Sequence, residues 1–335
     1  MSRTDASLSP RLATSTMAAA LPARFLGVAG AVPDTTVTNH DLEAHLDTTD
    51  AWIVDRTGIR ERRVSGDRDS TPSLAVTAGR RALARSGLPA SAVDLVILAT
   101  TTPDQSCPAT AATVQDELGT AGAAFDLNAA CAGFVYALHT AAAALVTPGL
   151  DHVLVIGADR FTSLIDPEDR ATAILFGDGA GAVVLGRSDA GAPGPGVLGV
   201  DLGGDGSGAR DLEVPVGERF VRMDGRQIFR QATRGLVESG RSALERAGAN
   251  AADVDLFVPH QANRRIMDAA ASRLGIPSDR MVVNLDRYGN TSAGSVPLAL
   301  ADAADTGRLT PGTVVLTSGI GAGMAWATLL LRWGS

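Results

Sequence analysis

Cys131, His260 and Asn290 are the residues of this sequence whose types and settings could combine for nucleophilic chemistry. Cys131 lies within AACAGFVYAL (129–138), after the apolar run AAFDL. Behind it comes a proline-free Ala/Leu-rich stretch, Gly133 to Leu145, that predicts a helix. A thiol at such a strand-to-helix junction meets unpaired N–H groups and a partial positive charge, which favour the reactive thiolate. Free cysteine is also among the most buried residue types, so position alone does not make a nucleophile. A proton-handling group and an anion-stabilising site must come from elsewhere. His260 closes the strand-like VDLFVP, just before a helix predicted from Ala262, at the kind of strand end where α/β sheets place ligands. His139 reads as packing in the helix after Cys131, His40 and His45 fall in an acidic surface segment, and His152 precedes a strand. Asn290 lies in NLDRYGNTSAGS, a polar loop between the strand-like MVVNL and another helix. A carboxylate behind His260 would make it a stronger base. A carboxamide cannot, and suits a site where two neutral donors hold a developing negative oxygen.

These junctions need a scaffold, and the chain describes one twice. Short apolar runs recur (VDLVILAT, AAFDL, HVLVIGAD, GAVVLG, VDLFVP, MVVNL, TVVLTSG), separated by segments that predict helices at 74–86, 110–118, 227–247 and 262–274. Such alternation implies an α/β protein with largely buried sheets. The order also repeats. RALARSG (81–87) matches SALERAG (242–248), VDLVILA matches VDLFVPH, and ACAGFVYAL parallels TSAGSVPLAL. HVLVIGAD likewise parallels TVVLTSGIG, and GAGAVVLG parallels GMAWATLLL. We read two similar halves, 21–187 with Cys131 and 188–335 with His260 and Asn290, joined near the Gly/Pro-rich SDAGAPGPG (188–196). Residues 1–20 read as a flexible N-terminal extension. A site between the halves would take groups from both.

Composition narrows the function. With 335 residues, 45% hydrophobic and 20% charged, the chain can bury a large core. The net charge of −8 argues against nucleic-acid binding, which wants a basic field. Two cysteines, Cys107 and Cys131, make no disulfide framework and no metal-ligand pattern, which fits a reducing, cytoplasmic compartment. No apolar stretch is long enough to read as a membrane span.

Taken together, AFDLNAACAGFVYAL, VPHQANRRI, NLDRYGNTSAGSVPLAL and FGDGAGAVVL resemble the signature segments of the β-ketoacyl-acyl-carrier-protein synthase III family, condensing enzymes with the thiolase fold. DTTDAWIVDRTGIRERR and GIGAGMAWATLLLRW fit too, so the resemblance runs from about Arg24 to the C-terminus. It implies duplicated halves in a layered αβαβα sandwich, and a homodimer. It also implies transfer of an acyl group from acyl-CoA, a substrate and not a cofactor, to Cys131, then decarboxylation of malonyl-acyl carrier protein with His260 and Asn290 holding the enolate oxygen. The family's oxyanion hole maps to the backbone N–H groups of Cys131 and of Ala322, which replaces the middle member of a glycine triplet. Trp52 and Arg56 map to contacts with the CoA adenine, with Arg170 nearby, and Gly225, Phe229, Ala262 and Asn263 to the pantetheine tunnel. Cys107 falls where the family inserts a residue into the partner's acyl pocket. A small residue there leaves room for longer or branched starters.

GDGAG (177–181) and GIGAG (319–323) run into apolar strands and do not open helices, so they lack the context of a phosphate cradle and read as tight turns. GGDGSGAR (203–210) reads as a surface loop. Arg226, Arg230 and Arg234 recur at i, i+4 and i+8 on one predicted helix. Charge stripes are commonly solvated faces, but with Arg264 and Arg265 this one could guide CoA phosphates and an acidic carrier protein. Two other functions share the fold: acyl transfer to a hydroxyl or amine of a secondary metabolite, and a non-catalytic carrier-protein-binding subunit. The amide at Asn290 argues against the first, and the presence of Cys131 against the second.

Overall fold

The apolar runs become the strands of a nine-stranded sheet in a computed structural model that describes residues 20–188 and 194–334. In chain order these strands are β1 (Leu21–Ala31), β2 (Leu95–Ala99), β3 (Ala123–Leu127), β4 (His152–Arg160), β5 (Asp178–Arg187), β6 (Gly196–Gly204), β7 (Leu256–Pro259), β8 (Val314–Gly321) and β9 (Ala325–Arg332). The longer helices are α1 (Asp50–Thr57), α2 (Thr71–Ser86), α3 (Thr110–Leu118), α4 (Gly133–Ala144), α5 (Gly225–Arg246), α6 (Arg264–Leu274) and α7 (Ser295–Asp305). The strand order is β7-β8-β9-β6-β1-β5-β4-β2-β3. The first four strands out from the centre match in the two halves, β1-β5-β4-β2 and β6-β9-β8-β7, with β3 extending the first half alone. The halves meet at a two-residue antiparallel link between β1 and β6, Leu21 with Val197 and Pro22 with Gly196.

Five layers follow from what each helix buries. Helices α4 and α7 share the central core, where Phe134, Leu138, Val296 and Leu300 meet Val155 and Val183 from one half and Val315 and Leu329 from the other. Helices α2 and α3 cover the outer face of the first half, and α5 and α6 that of the second. Strands covered on both faces explain the near-continuous apolar runs. Helix boundaries follow local chemistry. Helix α2 starts at a Ser70/Ser73 capping box and ends at Gly87 in the left-handed conformation. Helix α6 starts later than the sequence suggested, because Asn263 caps it by accepting the Arg265 N–H at 2.9 Å.

Two readings are corrected. MVVNL is not a strand: only Met281 bridges to Phe257, and Leu285–Tyr288 is a helical turn. The buried Gln261 carboxamide takes over part of the segment's backbone pairing, donating to Val282 O at 3.2 Å and accepting from Asn284 N at 3.0 Å. GDGAG is not a tight turn either. Its residues 178–181 lie in buried β5, where a Cβ on Gly181 would sit 2.7 Å from Leu298 N. Glycine there lets α7 dock against the sheet. GIGAG is mixed, with 319–321 ending β8 and 322–324 forming a turn in which Gly323 takes a φ of 71°. GGDGSGAR is largely exposed, although Gly208 is buried beneath Met324. The N-terminal extension read from the sequence, 1–20, lies outside the described residues except for residue 20, and residues 189–193 of the predicted junction lie outside them as well.

Candidate active site

The three junctions converge. Cys131, His260 and Asn290 line one narrow, mainly apolar cavity of about 110 Å³, together with Gly225, Phe229, Ala262 and Asn263. Cys131 also lines a second, more open cavity of about 720 Å³, walled by Phe161, Leu164, Leu212, Val221 and Ala322. Cys131 thus stands where two cavities meet.

Cys131 occupies the 3₁₀ turn Ala130–Ala132 that leads into α4. Its surroundings reverse one sequence-based expectation. Burial pushes the thiol up to about 12, aided by the Asp159 carboxylate and only partly opposed by the Ser292 hydroxyl 3.5 Å from Sγ. That rise, from 9.0, corresponds to roughly 4 kcal/mol, whereas a helix N-terminus contributes at most about 2 kcal/mol. The resting nucleophile is a neutral thiol.

His260 is equally enclosed, at 2% exposure, and burial drives its pKa down to about 3, so the ring is a neutral imidazole. Its Nδ1 lies 2.6 Å from Ser295 Oγ, and among the described residues no carboxylate is hydrogen-bonded to the ring. Asn290 is held at both ends: its N–H donates to Leu175 O, and its C=O accepts from Gly177 N–H. Its side-chain Oδ1 accepts the Ser292 N–H at 2.9 Å, which leaves the amide NH₂ as the group it can offer a ligand. A neutral imidazole and an amide NH₂ make two uncharged donors beside a thiol.

Backbone strain gathers here. Ala130, Ser292 and Met324 are the non-glycine residues with positive φ among those described (48°, 50° and 48°). One precedes Cys131, one touches its sulfur and one lines the same cavity. Residues kept in this region each cost of order 1–3 kcal/mol and cluster at functional sites. Ala322 is not among them, so alanine in place of glycine adds no such strain. The preceding Gly321 comes so close that a Cβ would lie 2.6 Å from Cys131 N.

The remaining sequence-derived residues divide. Trp52, on α1, is flanked by two guanidiniums, Arg170 at 5.1 Å and Arg56 at 5.7 Å from its ring centroid. Arg56, Arg226, Arg230 and Arg265 surround a surface opening that shares Gly225 and Phe229 with the narrow cavity. Arg234 and Arg264 are instead ion-paired at 2.8 Å, with Glu238 and Asp268. The stripe is therefore divided between residues at the opening and residues held in ion pairs. Cys107 is exposed on the loop before α3. Sequence reasoning missed Ser292, Ser295 and Asp159. The two serines stand in plain view in NTSAGS, and hydroxyls beside a candidate amide were the available signal. Asp159 closes the apolar run HVLVIGAD, in which nothing local marks a carboxylate for the site. Among the described residues no cluster of His, Cys, Asp or Glu could hold a metal ion, and no helix is long and apolar enough to cross a membrane.

Known proteins resemble this chain over most of its length. Residues 125–206 match the family model described as 3-oxoacyl-[acyl-carrier-protein (ACP)] synthase III, and residues 244–333 match its C-terminal counterpart. The β-ketoacyl-[acyl-carrier-protein] synthase III 1 of Bacillus anthracis is 44% identical over 311 residues, covering 92% of this chain and 98% of that protein. The crystal structure of the Thermus thermophilus β-ketoacyl-[acyl-carrier-protein] synthase III superposes with a TM-score of 0.89 at 45% identity, covering 93% and 99% of the two chains. The priming β-ketosynthase of the R1128 polyketide pathway gives 0.87 at 39% identity, covering 97% and 99%. Matches of this extent, over both halves and every junction described above, show that the chain belongs to the β-ketoacyl-acyl-carrier-protein synthase III family of thiolase-fold condensing enzymes.

Proposed function

We propose that this protein condenses an acyl-CoA starter with malonyl-acyl carrier protein through an acyl-Cys131 intermediate, initiating fatty-acid or polyketide chains in the cytoplasm. The observation that carries the reading is the single cavity in which a buried neutral thiol meets a neutral imidazole and an amide NH₂. In the first step Cys131 Sγ bonds to the acyl carbonyl carbon, the C–S bond to CoA breaks, and the thiol proton leaves on the CoA sulfur. The backbone N–H groups of Cys131 and Ala322 hold the tetrahedral oxyanion. In the second step malonyl-acyl carrier protein loses CO₂, and the electron pair of the broken bond passes into an enolate held by His260 and Asn290. The enolate carbon then attacks the acyl-Cys131 carbonyl and expels the sulfur, which regains a proton. Removing one such donor typically costs about 3 kcal/mol.

The substrates fit the surroundings. Trp52 and Arg56 would stack on and contact the CoA adenine, with Arg170 nearby, and Gly225, Phe229, Ala262 and Asn263 would line the pantetheine path. The guanidiniums over the Trp52 ring and the lining of the narrow cavity support this reading. The larger cavity would take the starter acyl chain, closed in a homodimer by the partner's loop around Cys107, a small residue that leaves room for long or branched starters. The arginines at the opening would receive the acidic carrier protein. No cofactor enters these steps. With Ser295, and among the described residues no carboxylate, hydrogen-bonded to His260, direct acyl transfer to a hydroxyl or amine acceptor is disfavoured. Intact-mass analysis after incubation with a panel of acyl-CoAs, with and without malonyl-acyl carrier protein, tests the reading. Peptide mapping should place the acyl mass on Cys131, and malonyl-acyl carrier protein should discharge it as a β-ketoacyl product. A label on Cys107 instead, or an acyl-enzyme that malonyl-acyl carrier protein leaves intact, would overturn it.

A further inference from the structure

We infer that Ser295 is a positioning residue: its hydroxyl donates to Nδ1 of His260 and so fixes the tautomer whose Nε2–H faces the cavity. The inference deepens the decarboxylative reading above and rests on it. Ser295 and His260 are 1% and 2% exposed, and their side chains meet at 2.6 Å. The distance alone does not say which atom carries the hydrogen. The neighbours do. Ser295 Oγ also receives the Gln261 N–H, at 3.4 Å. With a donor on that side, the hydroxyl hydrogen needs an acceptor, and among the described residues Nδ1 is the partner within reach. The ring is neutral because of its burial. A neutral imidazole has one N–H, so a ring that accepts at Nδ1 carries its hydrogen at Nε2.

The consequence is chemical. Nε2 has no protein partner among the described residues, and its ring lines the cavity with Cys131 and Asn290. The Ser295 hydrogen bond thus converts His260 from a possible acceptor into a donor, matching the donor that the Ser292 N–H makes of Asn290. Two serines of one segment, Ser292 through its backbone and Ser295 through its side chain, set the polarity of both groups. The same arrangement denies Nε2 the role of resting base toward the thiol, so acyl loading does not depend on it.

The test uses the full-length protein labelled with ¹⁵N-histidine, with His260→Gln to assign the resonance. The parent should show a pyrrole-type Nε2 and a pyridine-type Nδ1 at neutral pH; the reverse pattern overturns the inference. Ser295→Ala should slow malonyl-acyl carrier protein decarboxylation by at least about tenfold, while acyl loading of Cys131 stays within about threefold. Ser295→Thr, which keeps the hydroxyl, should recover most of the loss. Decarboxylation at the parent rate in Ser295→Ala would sink the idea, and so would equal loss in the alanine and threonine variants. If Ser295→Ala fails to fold, the parent spectrum and the threonine variant still decide. A parent enzyme that cannot decarboxylate malonyl-acyl carrier protein would instead remove the functional reading, whatever tautomer the spectrum shows.

Discussion

Asp159 and Ala293 are joined across the two halves, the carboxylate Oδ2 accepting the Ala293 N–H at 3.0 Å. The other oxygen, Oδ1, receives the backbone and hydroxyl donors of Thr101 and Thr102 and the hydroxyl of Thr100, at 2.7–3.1 Å. The carboxylate thus ties the ends of β2 and β4 to the turn that holds Ser292 in its strained conformation. Nearby, Gly157 leaves space for the Ala293 carbonyl, which would lie 2.3 Å from any Cβ added there.

Asp159→Asn tests this tie. An amide presents an NH₂ where the carboxylate only accepts, and one of its neighbours is then a donor facing a donor. Loss of such a buried bond should destabilise the fold by about 1–3 kcal/mol, measurable by urea unfolding. Because the loosened turn carries Asn290 and Ser295, malonyl decarboxylation should fall more than acyl loading. Unchanged stability together with unchanged decarboxylation would remove Asp159 from the site.

His260→Ala and Asn290→Ala should separate the two half-reactions. Each variant deletes one donor to the enolate oxygen, so decarboxylation should drop by about 10²–10³. Transfer of the acyl group to Cys131 uses backbone donors and should survive far better. Stopped-flow acylation beside a CO₂-release assay measures both. Parent-rate decarboxylation in both variants would show the enolate-holding role to be wrong.

Much of this was legible in the sequence because the junctions fall where apolar runs end. Cys131, His260 and Asn290 are each preceded by a recognisable apolar segment and followed by a helix-forming one, and the duplicated order placed them in related positions. What the sequence did not reveal is tertiary. MVVNL reads as a strand by composition, yet the Gln261 side chain claims part of its backbone pairing. GDGAG reads as a turn, yet its Gly179 and Gly181 leave room for α7 from the other half. The thiolate expected at Cys131 depended on a local helix effect, and burial, which no local pattern encodes, outweighs it.

Burial of the neutral pair also predicts how stability varies with pH. Between about 3 and 6.5 the unfolded chain protonates His260 while the folded one does not, so stability must fall as pH drops through that window. The sign is opposite in alkali. Between 9.0 and about 12 the unfolded chain loses the Cys131 proton that the folded one keeps, so stability falls as pH rises. Urea unfolding at pH 7 and pH 4.5 should show His260→Gln losing roughly 2–3 kcal/mol less than the parent. Equal losses would mean that the folded protein protonates His260 as readily as the unfolded chain.

The last prediction concerns the arginines of α5, which the structure divides. Arg230 stands at the cavity opening with Arg56, Arg226 and Arg265, whereas Arg234, one turn on, is paired with Glu238. Both are exposed and lie outside the catalytic junctions, so they can act only through the field they present. Arg230→Glu should raise KM for malonyl-acyl carrier protein by about twofold to fivefold at low salt, the scale of an exposed charge contact, with kcat nearly unchanged, as expected for lost uniform binding. Arg234→Glu makes the same change in net charge but removes a cation that is already partnered, so its effect on KM should be smaller. Salt should erase the difference, because exposed charges are screened over ~10 Å at 0.1 M ionic strength. Equal effects at both positions would mean that only net charge matters. No effect at Arg230 would make the stripe an ordinary solvated helix face.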